Sequence, residues 1–281
     1  MQLTVLDVVP FGNAGSQTAF YALRLAPPPW KSWRPGQFVM LRPRGNGSEI
    51  LWARPFTICR ADSRDMSIFF QVRGRVTSSL ARMLPGDRLD VWGPLGNAFA
   101  MEAETPTLLL AGGIGIASFV GYVQAHPSPR TVTMEFGHRM PLNCYPYDSI
   151  NERIRASAHH EKNGQDREDF LRLIDERIRQ FSGKGLVLAC GPAPFLGVVQ
   201  TLSLKYKART QLSLETTMAC GIGACLGCVV RAAPPADAAA DINGANGDTA
   251  SSLAGARPVP TCACGPNFWA DAVILNETAF T

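Results

Sequence analysis

The chain has 281 residues, 46% of them hydrophobic and 18% charged, and a formal net charge of +4 from 27 Lys and Arg against 23 Asp and Glu. A chain this apolar can bury a core, and its length fits two or three domains better than one. The small positive excess is scattered, with no run of five like charges, which argues against partners recognised by charge alone, whether nucleic acid or a membrane surface.

Met1 to Phe11 lacks a basic leader and alternates as a strand does, so no secretory signal is expected. Short alternating runs recur at Gln2–Val8, Ala19–Leu25, Gln37–Arg42, Met66–Val72 and Arg88–Trp92. Turn signals such as Arg34-Pro35-Gly36 and Leu84-Pro85-Gly86-Asp87 separate them. This pattern predicts a six-stranded antiparallel barrel over residues 1–102. One helix interrupts it from Thr77 to Met83, with Thr77 or Ser78 as N-cap.

The stretch from Thr105 to Ala125 carries no charge and is long enough by count to cross a bilayer. Pro106, Gly112, Gly113, Gly115 and Gly121 within it favour a strand, a glycine turn and a helix instead. Thr107–Ala111 reads as the strand, and Arg130–Phe136 and Gly185–Cys190 as two more; a further helix is expected from about Pro194 to Lys205. Residues 103–207 thus form a doubly wound α/β unit. Between Gly137 and Phe181 the only evident element is a charged helix, about Arg167 to Arg179, preceded by His159-His160-Glu161-Lys162-Asn163-Gly164. Residues 208–281 read as a Cys-rich tail, in which 232–256 is expected to be a mobile surface insertion.

Eight Cys are present, five of them in the last 62 residues. With no export or membrane signal the cytoplasm is the default, where disulfides are not expected. Cys220, Cys225 and Cys228 are spaced C-x4-C-x2-C, interleaved with Gly221, Gly223 and Gly227. The plant-type [2Fe–2S] loop uses this spacing. Three thiolates must converge from one short loop, which must also aim backbone N–H groups at the sulfurs. Buried free thiols and a zinc site are the alternatives. Three Cys among glycines do not pack as a core element, and zinc motifs come as two Cys pairs or with His. The fourth ligand is Cys262 or Cys264, and spacing does not choose between them.

Two segments of the barrel suit a flavin. Arg54-Pro55-Phe56-Thr57 offers a cation for phosphate, an aromatic face and a hydroxyl. Gly74-Arg75-Val76-Thr77 is a glycine turn into a helix start, an anion site or simply a cap. In the α/β unit, Gly112-Gly113-Ile114-Gly115 lies between strand and helix, where a phosphate can bind. Cys190-Gly191-Pro192 ends a strand at the edge where a nicotinamide would lie.

In this order the motifs resemble the ferredoxin–NADP reductase superfamily. Together with Gly93-Pro94-Leu95-Gly96-Asn97, the loop Met218–Cys228 and the tail Cys262-Ala263-Cys264-Gly265-Pro266-Asn267-Phe268, they are most similar to electron-transfer subunits of NAD-dependent dihydroorotate dehydrogenase. The resemblance implies FAD in the barrel, NAD(H) on the α/β unit and a [2Fe–2S] cluster held by Cys220, Cys225, Cys228 and Cys262. It assigns Arg54, Pro55, Phe56, Thr57, Phe69, Phe70, Gln71, Gly74, Val76 and Thr77 to FAD. Gly112, Gly113, Gly115, Cys190, Gly191 and Pro192 fall to the dinucleotide. Gln71 and Val76 stand where the family usually has Arg and Gly, and Arg73 is the substitute cation. No strand is evident in the 138–180 segment, where the family has a strand and an acidic turn. The implied partner is an FMN-containing, dihydroorotate-oxidising catalytic subunit, two copies of each chain forming a heterotetramer that serves pyrimidine biosynthesis. Phe268 and Trp269 are candidate partner contacts. Rival readings are an FAD/[2Fe–2S] reductase subunit of a sulfide dehydrogenase, hydrogenase or ferredoxin–NAD(P) reductase, and an iron–sulfur sensor whose nucleotide half has decayed.

Overall fold

The computed structural model describes residues 1–12, 19–44, 50–233 and 256–275. Its first unit is an antiparallel sheet of seven strands: β1 (Gln2–Phe11), β2 (Phe20–Leu25), β3 (Phe38–Pro43), β4 (Arg54–Thr57), β5 (Arg60–Ala61), β6 (Met66–Gln71) and β7 (Arg88–Leu95), in the order β4-β3-β7-β1-β2-β6-β5. That is one strand more than the six expected. The short β4 and the two-residue β5 are too brief to show alternation. The sheet curls until Phe56 on β4 meets Phe70 on β6 edge to face, ring centroids 6.1 Å apart. Helix α1 (Arg75–Leu80) plugs one end, with Val76 and Leu80 in the barrel core.

Four successive buried residues on β3 show what the barrel wall does. Val39 and Leu41 point into the barrel core, whereas Phe38 and Met40, on the other face by the strand's two-residue period, pack with Met218, Cys228 and Cys262. Each such burial contributes roughly 1.5–3 kcal/mol. One strand therefore closes the barrel and roofs the cysteine site.

The second sheet contains β8 (Thr107–Gly112), β9 (Val132–His138), β10 (Arg155–His160), β11 (Leu186–Cys190) and β12 (Arg209–Ser213), all parallel. Its order is β10-β9-β8-β11-β12, extended by an antiparallel edge strand, β15 (Asn267–Trp269). Helices α2 (Ala117–Ala125), α3 (Tyr147–Asn151), α4 (Gly164–Phe181) and α5 (Ala193–Tyr206) cover it. The uncharged stretch is β8, a 3-10 turn over Gly113–Ile116 and α2, buried together in the middle of this unit. Among the described residues no helix is long and apolar enough to cross a membrane.

Two expectations are corrected here. The 138–180 segment does contain a strand: β10 runs parallel to β9 with Arg155 opposite Thr133 and His160 opposite His138. Its sequence, Arg-Ala-Ser-Ala-His-His, has no β-branched residue, and as a sheet edge it is only half buried, so neither propensity nor patterning marks it. The tail does not begin at residue 208 as a separate unit either. Both β12 and β15 belong to the α/β sheet, because Thr210, Gln211 and Leu212 are buried against it. What remains outside is the cysteine loop, a three-stranded sheet of β13 (Val229–Ala232), β14 (Arg257–Pro260) and β16 (Val273–Ile274), and the single turn α6 (Thr261–Cys264). The insertion expected at 232–256 falls almost wholly outside the described residues.

Candidate functional site

Barrel, α/β sheet and cysteine loop meet around one cleft of about 1270 Å³. From the barrel, Arg54, Pro55, Phe56, Thr57, Phe69, Phe70, Gln71, Gly74, Val76 and Thr77 all line it, as do Arg73 and Arg75. Val76 anchors α1 in the barrel core, so it contributes packing where a glycine would give only space. The Thr77 hydroxyl accepts the N–H groups of Arg73 (2.9 Å) and Gly74 (3.1 Å) and donates to the Gly74 carbonyl (3.0 Å), which fixes the glycine turn. Gln71 Oε1 accepts Arg73 Nε at 2.8 Å, so the glutamine holds the neighbouring guanidinium over the cleft. Arg54 is braced by donating to the carbonyls of Ala53 (3.0 Å) and Trp52 (3.3 Å).

From the α/β unit, Gly115, Cys190, Gly191 and Pro192 line the cleft, at the carboxyl ends of β8 and β11, where a doubly wound sheet binds its ligand. Gly112 and Gly113 do not line it. Gly115 is required by close approach: a Cβ there would lie 2.3 Å from the Cys190 carbonyl oxygen. The Cys190 thiol faces Ser118 Oγ at 3.4 Å, and burial pushes its pKa up to about 11, so it is a neutral wall group rather than a nucleophile.

Polar lining residues that the sequence did not single out include Ser118, Ser213, Glu215 and Thr216. Ser118 follows the glycine turn directly, a usable signal. Ser213 ends β12, and Glu215 and Thr216 follow it, in a stretch that reads in sequence as part of the tail. The Thr216 hydroxyl is buried and unpartnered, an orphan facing a cleft that a polar ligand would fill.

The cysteine loop lies beyond the far wall, which Met218, Gly227 and Cys228 help to form. Among the described residues no three His, Cys, Asp or Glu side chains converge as on a single ion. The thiols instead form two pairs within hydrogen-bonding reach, Cys220 with Cys225 and Cys228 with Cys262. Two pairs suit a two-iron rhomb, in which each iron takes two thiolates, better than one tetrahedral ion. Backbone N–H groups already point at the sulfurs: Gly223 to Cys262 at 3.0 Å, Cys225 and Ile222 to Cys220 at 3.4 and 3.5 Å, and Cys262 to Cys228 at 3.5 Å. Gly221 and Gly223 reach this geometry with φ of +73° and +81°. The N–H groups of Ile222 and Cys225 lower the Cys220 pKa to about 6, whereas burial and then the adjoining Cys228 raise that of Cys262.

Cys264 is exposed. Its carbonyl accepts from Asn97, which also clasps Asn267: Asn97 Nδ2 donates to Cys264 O (3.2 Å) and Asn267 O (2.7 Å), and Asn97 Oδ1 accepts Asn267 N (3.0 Å). The expected contact pair divides. Phe268 is core, and the Trp269 ring sits over Arg209 at 6.0 Å. The apolar side chains exposed around the cysteines are Ile222, Leu226 and Val229, at 65%, 64% and 38%.

A family profile described as the iron–sulfur cluster binding domain of dihydroorotate dehydrogenase B matches residues 215–240. The electron transfer subunit of dihydroorotate dehydrogenase B (NAD+) from Caldanaerobacter subterraneus subsp. tengcongensis is 32% identical over 206 residues, 72% of this chain and 79% of that protein. The chain belongs to this family of electron transfer subunits. The Listeria innocua member is 30% identical over 248 residues, covering 86% of this chain and 87% of its own. Among solved structures, that of an NADH-dependent reduced ferredoxin–NADP oxidoreductase superposes with a TM-score of 0.75 at 20% identity, over 98% of this chain and 90% of the other. The ferredoxin–NADP+ reductase of Plasmodium falciparum gives 0.62 at 14% identity, over 76% of this chain and 95% of its own. These two likenesses establish the ferredoxin-reductase fold, an FAD-binding type of barrel beside an NAD-binding type of α/β sheet.

Proposed function

We propose that this protein is the electron-transfer subunit of an NAD-linked dihydroorotate dehydrogenase. It would relay electrons from an FMN-containing, dihydroorotate-oxidising partner to NAD+ in pyrimidine biosynthesis, in the cytoplasm, as a heterotetramer of two copies of each chain. The observation that carries this reading is the single cleft whose walls are the barrel motifs, the carboxyl ends of β8 and β11, and the cysteine loop. Family membership supports it.

When bound, FAD exchanges one electron or two, which lets a one-electron [2Fe–2S] cluster communicate with a two-electron nicotinamide. The chain's task is then binding, orientation and exclusion of water. In this reading the barrel (1–102) holds FAD. Arg54, Arg73 and Arg75 neutralise its diphosphate, Phe56 and Phe70 flank its ring, and Thr57 offers a hydroxyl at the ring's edge. Gly115 opens room for a nicotinamide beside Cys190, Gly191 and Pro192, with Ser118 and Glu215 as polar neighbours. Gly112 and Gly113, away from the cleft wall, serve the turn. Cys220, Cys225, Cys228 and Cys262 hold the cluster, and the pairing of Cys228 with Cys262 favours Cys262 over Cys264. Phe38, Met40 and Met218 keep water from the inner pair. Leu214 to Met218 run from the nicotinamide side of the cleft to the cluster loop, so the three sites share one wall. The exposed Ile222, Leu226 and Val229 beside the outer pair are the proposed docking face for the catalytic partner.

The test is an anaerobic NADH titration of the purified protein, followed by absorbance, with flavin and iron assayed on the same sample. Bleaching of both flavin and cluster bands is expected. Absence of either cofactor, or bands that NADH leaves oxidised, would overturn the assignment.

A further inference from the structure

One buried hydroxyl at the cysteine site has no partner in the protein itself. Thr261, directly before Cys262, is fully buried, and its Oγ1 makes no hydrogen bond among the described residues. Its backbone, by contrast, is satisfied: the N–H donates to the Cys228 carbonyl at 2.9 Å, and the carbonyl accepts the Gly265 N–H at 2.9 Å. A buried donor with no acceptor is rare in a folded chain and costly to keep.

The strands fix where this side chain points. β13 and β14 pair Val230 with Val259 and Val229 with Pro260, and the Thr261 N–H carries the ladder one pair further, to Cys228. Pro260 is extended (φ −74°, ψ 119°), so the two-residue alternation runs through to Thr261. Val230 and Val259 are buried, Val229 and Pro260 are not, and Cys228 and Thr261 turn inward again. Opposite side chains of an antiparallel pair have Cβ atoms about 4.5–5.5 Å apart. The Cys262 N–H, one residue on, meets the Cys228 sulfur at 3.5 Å. The hydroxyl therefore shares its side of the ladder with one candidate ligand and adjoins another in the chain. Phe38, Met40, Ala53 and Met218, packed around these two thiols, are apolar and bring no side-chain oxygen to receive it.

We propose that Thr261 Oγ1 donates a hydrogen bond to a sulfur of the [2Fe–2S] cluster and thereby raises the cluster's reduction potential; this rests on the cluster reading given above. The sulfurs carry more negative charge once the cluster has taken up an electron. A hydrogen bond strengthens with the charge of its acceptor, so the donor favours the reduced form. Reduction moves one electron onto the cluster; no bond of the chain forms or breaks, and the hydroxyl keeps its proton. The backbone N–H groups aimed at Cys220, Cys228 and Cys262 act in the same direction. The hydroxyl is the donor that a side chain sets. In the proposed relay it makes the cluster a readier acceptor of electrons from the catalytic partner.

The test is a potentiometric titration of the purified, cofactor-loaded protein with dithionite and mediators. The cluster is read by the electron paramagnetic resonance of its reduced form and the flavin by absorbance, with iron assayed on the same samples. Thr261→Val, which keeps the shape and deletes the donor, should lower the cluster's one-electron reduction equilibrium about tenfold, equivalent to about 59 mV, with the flavin potential and iron content unchanged. Thr261→Ser, which keeps the hydroxyl, should recover at least half of that shift. Should the valine variant fail to fold or to keep its iron, Thr261→Ala gives the same readout. A change below about twofold, roughly 18 mV, on deleting the hydroxyl would overturn the inference. So would a shift that Thr261→Ser shares in full, or one that flavin and cluster show equally, since the side chain would then serve packing alone. Wild type that holds no iron overturns the cluster reading and this inference with it, and the iron assay identifies that case.

Discussion

Replacing Asn97 by Ala tests whether one side chain joins the barrel to the segment carrying Cys262. The substitution deletes two donated bonds, to Asn267 O at 2.7 Å and Cys264 O at 3.2 Å, and two accepted, from Asn267 N at 3.0 Å and, more weakly, from Asn267 Nδ2 at 3.3 Å. Asn267 is 2% exposed, so its N–H and C=O are left without water. A buried group that loses its partner costs about 1–3 kcal/mol, so the expected total is about 2–4 kcal/mol after some relaxation. Asn267 Nδ2 still donates to Gly36 O (3.2 Å) and Asn97 O (3.0 Å), which keeps the segment from detaching outright. For a chain of this size that stability loss corresponds to a fall on the order of 5–10 °C in Tm. The assay is denaturant unfolding of the cofactor-loaded protein, with iron released per chain measured in parallel. Iron should leave before the barrel unfolds, because Cys262 lies five residues upstream of Asn267. Asn97→Asp should be at least as damaging, since it keeps the acceptor but sets a charge against two carbonyls. A cost below about 0.5 kcal/mol for Asn97→Ala, the level of an ordinary surface change, would refute the clasp.

Cys262→Ser should abolish the cluster's visible absorbance while Cys264→Ser leaves it intact; the reverse would exchange their roles. Gly115→Ala should raise the KM for NADH about tenfold with flavin content unchanged, because its Cβ would collide with the Cys190 carbonyl; an unchanged KM would remove the nicotinamide from that edge. His138 is 5% exposed, and burial, aided by the neighbouring His160 and His159, holds its pKa below the usual 6.5. The unfolded chain therefore binds the proton first. This contribution to stability is complete above about pH 6.5, falls as pH drops through the folded-state pKa and is level below it. His138→Phe should flatten the fall of the denaturant midpoint as pH drops below about 6.5, and an unchanged slope would discharge His138 of that role.

The cysteine spacing, the barrel repeat and the glycine turns were legible because each rests on local chemistry. Ligand geometry, two-residue alternation and positive φ are all written in consecutive residues. What escaped depends on partners distant in sequence. β10 is a strand because β9 offers it a ladder, not because Ala156, Ser157 or Ala158 prefer one. β12 was hidden by its neighbourhood: Thr210, Gln211 and Ser213 are polar yet buried, the opposite of what a hydrophobic pattern seeks. Glu215 and Thr216 went unnoticed with it, since their place in the cleft follows only from where β12 ends. Phe268 and Trp269 stand out in the sequence as large aromatics near a candidate ligand. Yet β15 pairs with β12, and that ladder turns one ring into the core and the other towards Arg209.

The pairing of β12 with β15 also bears on how the protein is made. Ser213 stands opposite Asn267, and the Leu214 N–H donates to the Pro266 carbonyl at 2.9 Å, so the chain leaves the sheet and rejoins it at one point. Every candidate ligand lies in the chain between these two points, which are already tied together. The register of the six strands rests on backbone ladders, and the closure of the barrel on its own apolar core, all outside this loop. Biogenesis can then proceed in order, scaffold first and iron afterwards, with the open loop presenting Cys220 and Cys225 to an incoming donor. Protein from iron-starved cells should accordingly carry flavin on an intact sheet and accept a cluster later. Flavin-free or unfolded chains from such cells would mean that the loop and the scaffold mature together.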